Sequence, residues 1–383
     1  MDFDGNVLDR RRQTRSNIYR YIYYNKGFCS RQGLARDLGL SLPTVYQHLS
    51  ELMSVGLIRD SGEQQSTGGR KASGLSIVPD ARISAGISVT ENKISLVAAD
   101  LRLNKLAYQE VDNAPINCFS DMGEQLAALL ETFLNQYSID RERLLGVGIA
   151  LPAVMSADSR YITAAPTLHL KDTSLEGLAS SIPYPTYIEN DATSGGHAEL
   201  FFRKDNRNMA YLSLENGIGG AIMVEGAPYA GDNRRSGEFG HMCVEPGGLR
   251  CSCGRSGCLE AYCSQRRIRN VFGVTMDEFI SEIEQHGTLA EEYAALWDNM
   301  LRHLAIGISN IRMALDCDIV LGGFLSEYLA PYLSRLKEYV AGINPFDTDT
   351  DYLHLSTLRR YTVPLGVALH FVADFLEQIG NVV

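Results

Sequence analysis

With 383 residues, 45% of them hydrophobic and 21% charged, the chain has the size and composition of a globular protein with two or three compact units. No run of about 18 uncharged apolar residues occurs, so no membrane span is expected, and the charged start MDFDGNVLDRRRQTR lacks the apolar core of a secretory leader. The net charge of −11 is unevenly divided: residues 1–80 hold eleven basic and eight acidic side chains, the remainder 24 and 38. A basic head on an acidic body points to a DNA-binding module joined to a domain with another task. A cytoplasmic location is expected, with the eight cysteines reduced or metal-bound.

Three short helical patterns open the chain. Residues 16–25 place Ile18 and Ile22 on one face, and Gly27 ends the run. Arg10, Arg11, Arg12 and Arg15 ahead of it read as a phosphate-touching arm or a disordered tail. Ser30 caps a second helix with Leu34 and Leu38 inward, and Gly39 stops it. Ser41 caps a third, with Pro43 in its first turn and Val45, Leu49, Leu52 and Met53 on its apolar face. This is a helix-turn-helix, whose second helix enters the major groove by its N-terminal residues. Ser41, Thr44, Tyr46, Gln47 and His48 are the candidates for base edges and phosphates. Strands at 57–59 and 75–78 flank the polar loop SGEQQSTGGRKASG as a wing, with Arg70 and Lys71 placed to reach phosphate or the minor groove. A small helical domain for protein contacts is the blander reading.

From residue 83 the pattern changes to alternating strands and helices. Strands are predicted at 83–89, 93–99, 106–111 and 144–150, with an amphipathic helix over 119–137. A second cycle has strands at 209–214, 220–224 and 318–321 and a helix over 291–316, striped by Leu301, Leu304, Ile308, Ile311 and Leu315. An α/β body of two lobes with a cleft between them follows. The domains are therefore 1–80 and 81–383.

The most specific local feature is HMCVEPGGLRCSCGRSGC, which supplies His241, Cys251, Cys253 and Cys258. One imidazole and three thiols, with Gly247, Gly248, Gly254 and Gly257 letting the backbone fold around them, form a Cys₃His set. A structural zinc ion in a loop over 241–258 is expected, because four protein ligands leave no open position for catalysis. Buried reduced cysteines are the alternative, and Cys243 and Cys263 are assigned to the core.

The stretch SGEFGHMCVEPGGLRCSCGRSGCLEAYCS resembles the signature of the ROK family (repressors, open reading frames and sugar kinases). YIENDATSGGHAEL resembles that family's catalytic segment, NGIGGAI its second phosphate loop, and LGGF at 321–324 its adenosine-side turn. The resemblance covers nearly all of 81–383 and implies an actin-like (ribonuclease H-like) ATPase or sugar-kinase fold. The head matches the family's repressor branch. The resemblance further implies sugar contacts at Asn190, Asp191, Gly217, Glu238, His241 and Glu260, with Asp191 in the place of the kinases' general base. A carboxamide beside a carboxylate also suits sugar hydroxyls on chemical grounds. Singly, Asp191 also reads as a helix cap, Glu260 as a first-turn carboxylate and Glu238 as a surface charge.

The departures from the family pattern bear on activity. Kinases of the family have an Asp-x-Gly-Gly-Thr turn after the first strand; here Ser88 replaces the Asp and Thr90-Glu91-Asn92 the Gly-Gly-Thr. The second loop begins with Glu215-Asn216 where the kinases have Gly-Thr. Carboxylates added against an anionic ligand predict that ATP and Mg²⁺ are not bound and that no phosphoryl group is transferred. The expected protein is a sugar-responsive transcriptional regulator, a homodimer or homotetramer whose partners are operator DNA and a sugar or sugar phosphate. A bifunctional sugar kinase with a DNA-binding head is the alternative. Thr167, where the family often has Asn, leaves the choice of sugar open.

Overall fold

The computed structural model describes residues 3–25, 29–63, 73–112, 119–203, 208–346 and 349–381. Helices α1 (Phe3–Tyr24), α2 (Arg31–Asp37) and α3 (Leu42–Ser54) precede an antiparallel hairpin of β1 (Ile58–Glu63) and β2 (Ser73–Ile77). Ser30 and Ser41 cap α2 and α3 by accepting the backbone N–H groups of Gly33 and Thr44. Gly39, at φ 64°, turns the chain between them. Leu34, Val45, Leu49 and Leu52 are buried with Ile18, Tyr19 and Ile22 of α1. The first helix starts well before residue 16, and its turn at Arg11–Arg15 is held against α3. Arg11 and Arg15 pair with Glu51 of α3, so neither belongs to a free arm or tail.

The first lobe is built from β3 (Ile83–Val89), β4 (Lys93–Asp100), β5 (Lys105–Asp112), α4 (Phe119–Gln136) and β6 (Leu144–Leu151). It continues through β7 (Val154–Met155), β8 (Tyr161–Ala165), β9 (Leu170–Ser174), α5 (Glu176–Ser181) and β10 (Thr186–Asn190). Its main sheet has the order β10-β6-β3-β4-β5, with β7-β8-β9 as a small separate sheet. Helix α6 (Asp191–Phe202) then leads to the second lobe and its strands β11 (Met209–Leu214), β12 (Ile218–Val224) and β13 (Ala227–Pro228). Helices α7 (Leu259–Cys263), α8 (Gln265–Phe272), α9 (Met276–Glu284) and α10 (Ala290–Leu315) follow. The chain closes with β14 (Asp318–Gly322), α11 (Ser326–Leu329), α12 (Leu333–Ile343), β15 (Leu353–Leu355) and α13 (Thr362–Gln378). The second sheet has the order β13-β12-β11-β14-β15.

Each lobe has its own core. In the first, Ile83, Ile87 and Ile149 meet Leu126, Leu130 and Phe133 of α4. In the second, the α10 stripe of Leu301, Leu304, Ile308 and Ile311 packs with Leu212 and Leu321. Two helices join the lobes: α6 packs on β11 and β12, α13 lies on β3 and β6, and the two cross each other. The crossing is close because a Cβ on Gly366 would stand 1.7 Å from the Ser194 carbonyl oxygen. The segment 359–381 has the length and hydropathy of a membrane span, but 61% of its apolar window is buried inside the protein, as befits a core helix.

Candidate functional site

The carboxyl end of β10 and the start of α6 lie where the two lobes meet, α6 touching β10 and β6 on one side and β11 and β12 on the other. Asn190, not Asp191, is the helix cap: its Oδ1 accepts the Thr193 N–H at 2.9 Å, and its Nδ2 donates to the Ala153 carbonyl and to Asp191 Oδ1, each at 3.2 Å. Asp191 is thereby left as a carboxylate bonded to the Ala192 N–H at 2.8 Å. Burial pushes its carboxyl up to about 7; the Ala192 N–H opposes this and the Glu238 charge adds to it. Burial also raises Glu238, with His241 opposing and Glu260 adding.

Glu260 reaches the same region from the first turn of α7. Its Oε2 accepts the Ile218 N–H at 3.1 Å and its Oε1 accepts the Ser252 hydroxyl at 3.0 Å, so it joins the glycine loop to the cysteine loop. A Cβ on Gly217 would stand 2.7 Å from Glu260 Oε2, which is why this position carries no side chain. Asp191, Glu238 and Glu260 are thus electrostatically coupled acceptors, the chemistry a polyhydroxylated ligand requires.

His241, Cys251, Cys253 and Cys258 come together, with all four donor atoms within 4.8 Å of one another. Cys251 Sγ lies 3.8 Å from His241 Nδ1, and Cys253 Sγ lies 3.7 Å from Cys258 Sγ. A zinc–sulfur bond of about 2.3 Å gives tetrahedral edges of about 3.8 Å, so the donor set can hold a metal ion of this kind. His241 Nε2 stands on the other edge of the ring, 4.0 Å from Glu238. Cys263 is buried as assigned, its thiol donating to the Met300 carbonyl. Cys243 is a correction: it is exposed, although its backbone bridges to that of the buried Cys258.

The region of the phosphate loops is organised differently from the expectation. Thr90 closes a tight turn onto Lys93 through its N–H and its hydroxyl. Glu91 faces Arg266 of the other lobe at 3.5 Å, so its charge is partly compensated. Glu215 does not stand free in the loop: its Oε1 accepts the Phe324 N–H at 2.9 Å, tying β11 to the turn after β14. Burial pushes Glu215 up to about 7, against the Phe324 N–H and with Asp191 adding. A second inter-lobe tie is made by Arg234, which donates to the Ala157 carbonyl at 2.6 Å and to Ser159 Oγ at 3.3 Å. Sequence gives no sign of Arg234 or Arg266, since their partners lie 77 and 175 residues away.

On the head, Ser41, Tyr46 and Gln47 are exposed on one side of α3 and Thr44 is partly so. Ser41 and Thr44 are also bonded to each other through their hydroxyls at 2.7 Å. His48 is a correction: it is 3% exposed, and its Nδ1 lies 3.1 Å from Glu51 Oε2, so it faces the interior and not a base edge. Arg70 and Lys71 lie outside the described residues.

A winged helix-turn-helix head on a two-lobed α/β body, with cleft carboxylates and a Cys₃His cluster, defines a class in which a DNA-binding module is fused to a sugar-kinase-like fold. The chain belongs to the ROK family, whose model matches residues 84–345, and the model for winged helix-turn-helix DNA-binding matches 11–59. It is 29% identical over 362 residues to the xylose repressor of Bacillus subtilis (strain 168), covering 91% of this chain and 92% of that one. A solved ROK family transcriptional regulator, a homologue of the E. coli MLC protein, superposes with a TM-score of 0.73 at 20% identity, over 97% of this chain and 98% of the other. A ROK family glucokinase from Streptomyces griseus, solved with glucose and AMPPNP, superposes with a TM-score of 0.63 at 19% identity, over 75% of this chain and 98% of the other.

Proposed function

We propose that this chain is a cytoplasmic, sugar-responsive transcriptional repressor whose kinase-like body binds its effector without phosphorylating it. The observation that carries this reading is that one chain holds both an exposed reading helix and a cleft of coupled acceptor carboxylates. Ser41, Thr44, Tyr46 and Gln47 would meet the operator, with Arg70 and Lys71 on the wing. Asn190, Asp191, Gly217, Glu238, His241 and Glu260 would surround a sugar or sugar phosphate. The similarity to a protein named xylose repressor supports both halves. Homodimers or homotetramers are expected, since helix-turn-helix proteins read paired half-sites.

His241, Cys251, Cys253 and Cys258 would hold a structural zinc ion. It would supply rigidity, fixing Glu260 at the start of α7 and the Nε2 nitrogen of His241. The bonding of Glu215 supports a loss of nucleotide binding. Glu215 already occupies the Phe324 N–H, a donor of the kind a phosphate requires. With Glu215 held on it, that N–H is closed to a second acceptor.

The kinase alternative has Asp191 in its favour, a carboxyl held near 7 at the expected place. A thermal-shift screen of common pentoses, hexoses and N-acetylated sugars, paired with a coupled ADP-release assay, separates the readings. Stabilisation by one sugar with no ADP release is the expected result. Turnover that Asp191→Asn abolishes would establish a kinase, and no stabilisation by any sugar would remove the effector.

A further inference from the structure

Helix α1 is bonded to the body through Arg15, Arg20 and the Tyr23 hydroxyl, and of the two guanidinium groups that of Arg15 is the buried one. Arg15 of α1 is 5% exposed. Its Nη1 donates to the Gly380 carbonyl at 2.9 Å, while its Nε and Nη2 donate to Glu51 Oε2 at 3.1 and 2.8 Å. Glu51 lies on α3, the reading helix, and Gly380 lies in the turn Ile379–Asn381 that follows α13. Glu51 also receives Arg11 and the buried His48, and Gln47 Nε2 lies 3.5 Å from its Oε1. One carboxylate therefore connects a candidate base-reading side chain to Arg15.

The body end of this contact leads back to the cleft. Around Arg15, Arg20 Nε donates to the Leu376 carbonyl at 2.8 Å and Tyr19 packs edge-on against Phe375. Helix α13 then runs about 20 Å from Gly380 to Gly366 at 1.5 Å per residue. There it crosses α6 against Ser194, one turn after Asp191. Helix shifts of this kind are a known means of carrying a change between two ends of a packed helix.

We propose that Arg15 is the positioning residue through which the body sets the reading helix, so that the state of the cleft reaches Gln47 by way of α6, α13, Gly380 and Glu51. This rests on the repressor reading above and adds its route. The chemistry requires arginine, because a single planar fork bonds the carbonyl and the carboxylate together. A lysine keeps a charge for Glu51 but has one nitrogen to share between two acceptors.

The test uses full-length wild type, Arg15→Lys and Arg15→Met, with an operator fragment obtained by in vitro selection on the wild type. D-xylose, D-glucose and N-acetyl-D-glucosamine serve as probes. Arg15→Lys is expected to melt within a few degrees of wild type and to bind sugar within twofold of it. Its operator affinity should fall at least tenfold, and the factor by which sugar changes that affinity should fall at least fivefold. Hydrogen exchange over 42–54 provides a readout that needs neither ligand, and it should be faster in both variants. Unchanged operator affinity, an unchanged sugar factor in Arg15→Lys, or unchanged exchange over 42–54 would overturn the proposal. If no probe affects operator affinity in the wild type, the repressor reading fails instead, and Arg15 is judged on exchange and operator affinity alone.

Discussion

Asp191→Asn isolates the cost of keeping a carboxylate in the cleft. The carboxyl is held near 7, about three pH units above its ordinary value. An acid whose folded-state pKa is raised favours the folded state below its unfolded pKa, near 4, and that contribution is lost as pH rises through about 7. At 1.36 kcal/mol per unit the loss is at most about 4 kcal/mol, and because Asp191 is only partly buried, solvent screening reduces it to about 2 kcal/mol. Asn keeps an oxygen for the Ala192 N–H and has no charge to bury. Removing the Asp191 charge also relieves Glu215, which lies under its influence. Melting curves of ligand-free protein between pH 4 and 8.5 are therefore expected to coincide at pH 4. By pH 8 they should separate, with the variant more stable by several degrees. The same variant should bind sugar at least tenfold more weakly at pH 8, because the amide cannot accept hydroxyl protons as a carboxylate does. Equal melting temperatures at pH 8, or a more stable wild type there, would refute the assignment of Asp191 as a desolvated carboxylate.

Three further outcomes follow from the site. Metal analysis should find one zinc per chain, and Cys258→Ser should lose it together with several degrees of melting temperature and most sugar affinity; full affinity without metal would separate the cluster from the cleft. Gln47→Ala is expected to weaken operator binding by about 1–3 kcal/mol with no change in stability, whereas His48→Ala should lower stability by about 1–3 kcal/mol through its lost contact with Glu51; binding assays and denaturant melts distinguish the two. Gly217→Ala should displace Glu260 and reduce sugar affinity at least fivefold by calorimetry, and unaltered affinity would mean that Glu260 does not contact the sugar.

What the sequence made legible was what depends on neighbours along the chain. The strands at 83–89 and 209–214 stand as predicted, because fully buried runs have no solvent face to confuse the pattern. Ser30 and Ser41 cap as expected, since a cap is a contact over three residues. The Cys₃His set was visible because its ligands are close in sequence and its glycines permit the turns. The sheet β7-β8-β9 went unread, its strands being two to five residues long and partly exposed. His48 stands three residues after Val45 and four before Leu52, at the edge of the buried face of α3; its polar side chain, not its position, suggested a base contact, and Glu51 supplies its partner. Glu91 and Glu215 drew notice as added charges. Their partners, Arg266 and the Phe324 N–H, are brought to them only by the closed fold.

The central claim is that occupancy of the cleft changes DNA binding. Fluorescence anisotropy of the full chain on its selected operator, with and without the sugar that most raises the melting temperature, measures this directly. The account predicts that saturating sugar lowers operator affinity at least tenfold, with no ADP formed in the presence of ATP. A sugar that stabilises the protein yet leaves operator affinity unchanged would contradict it.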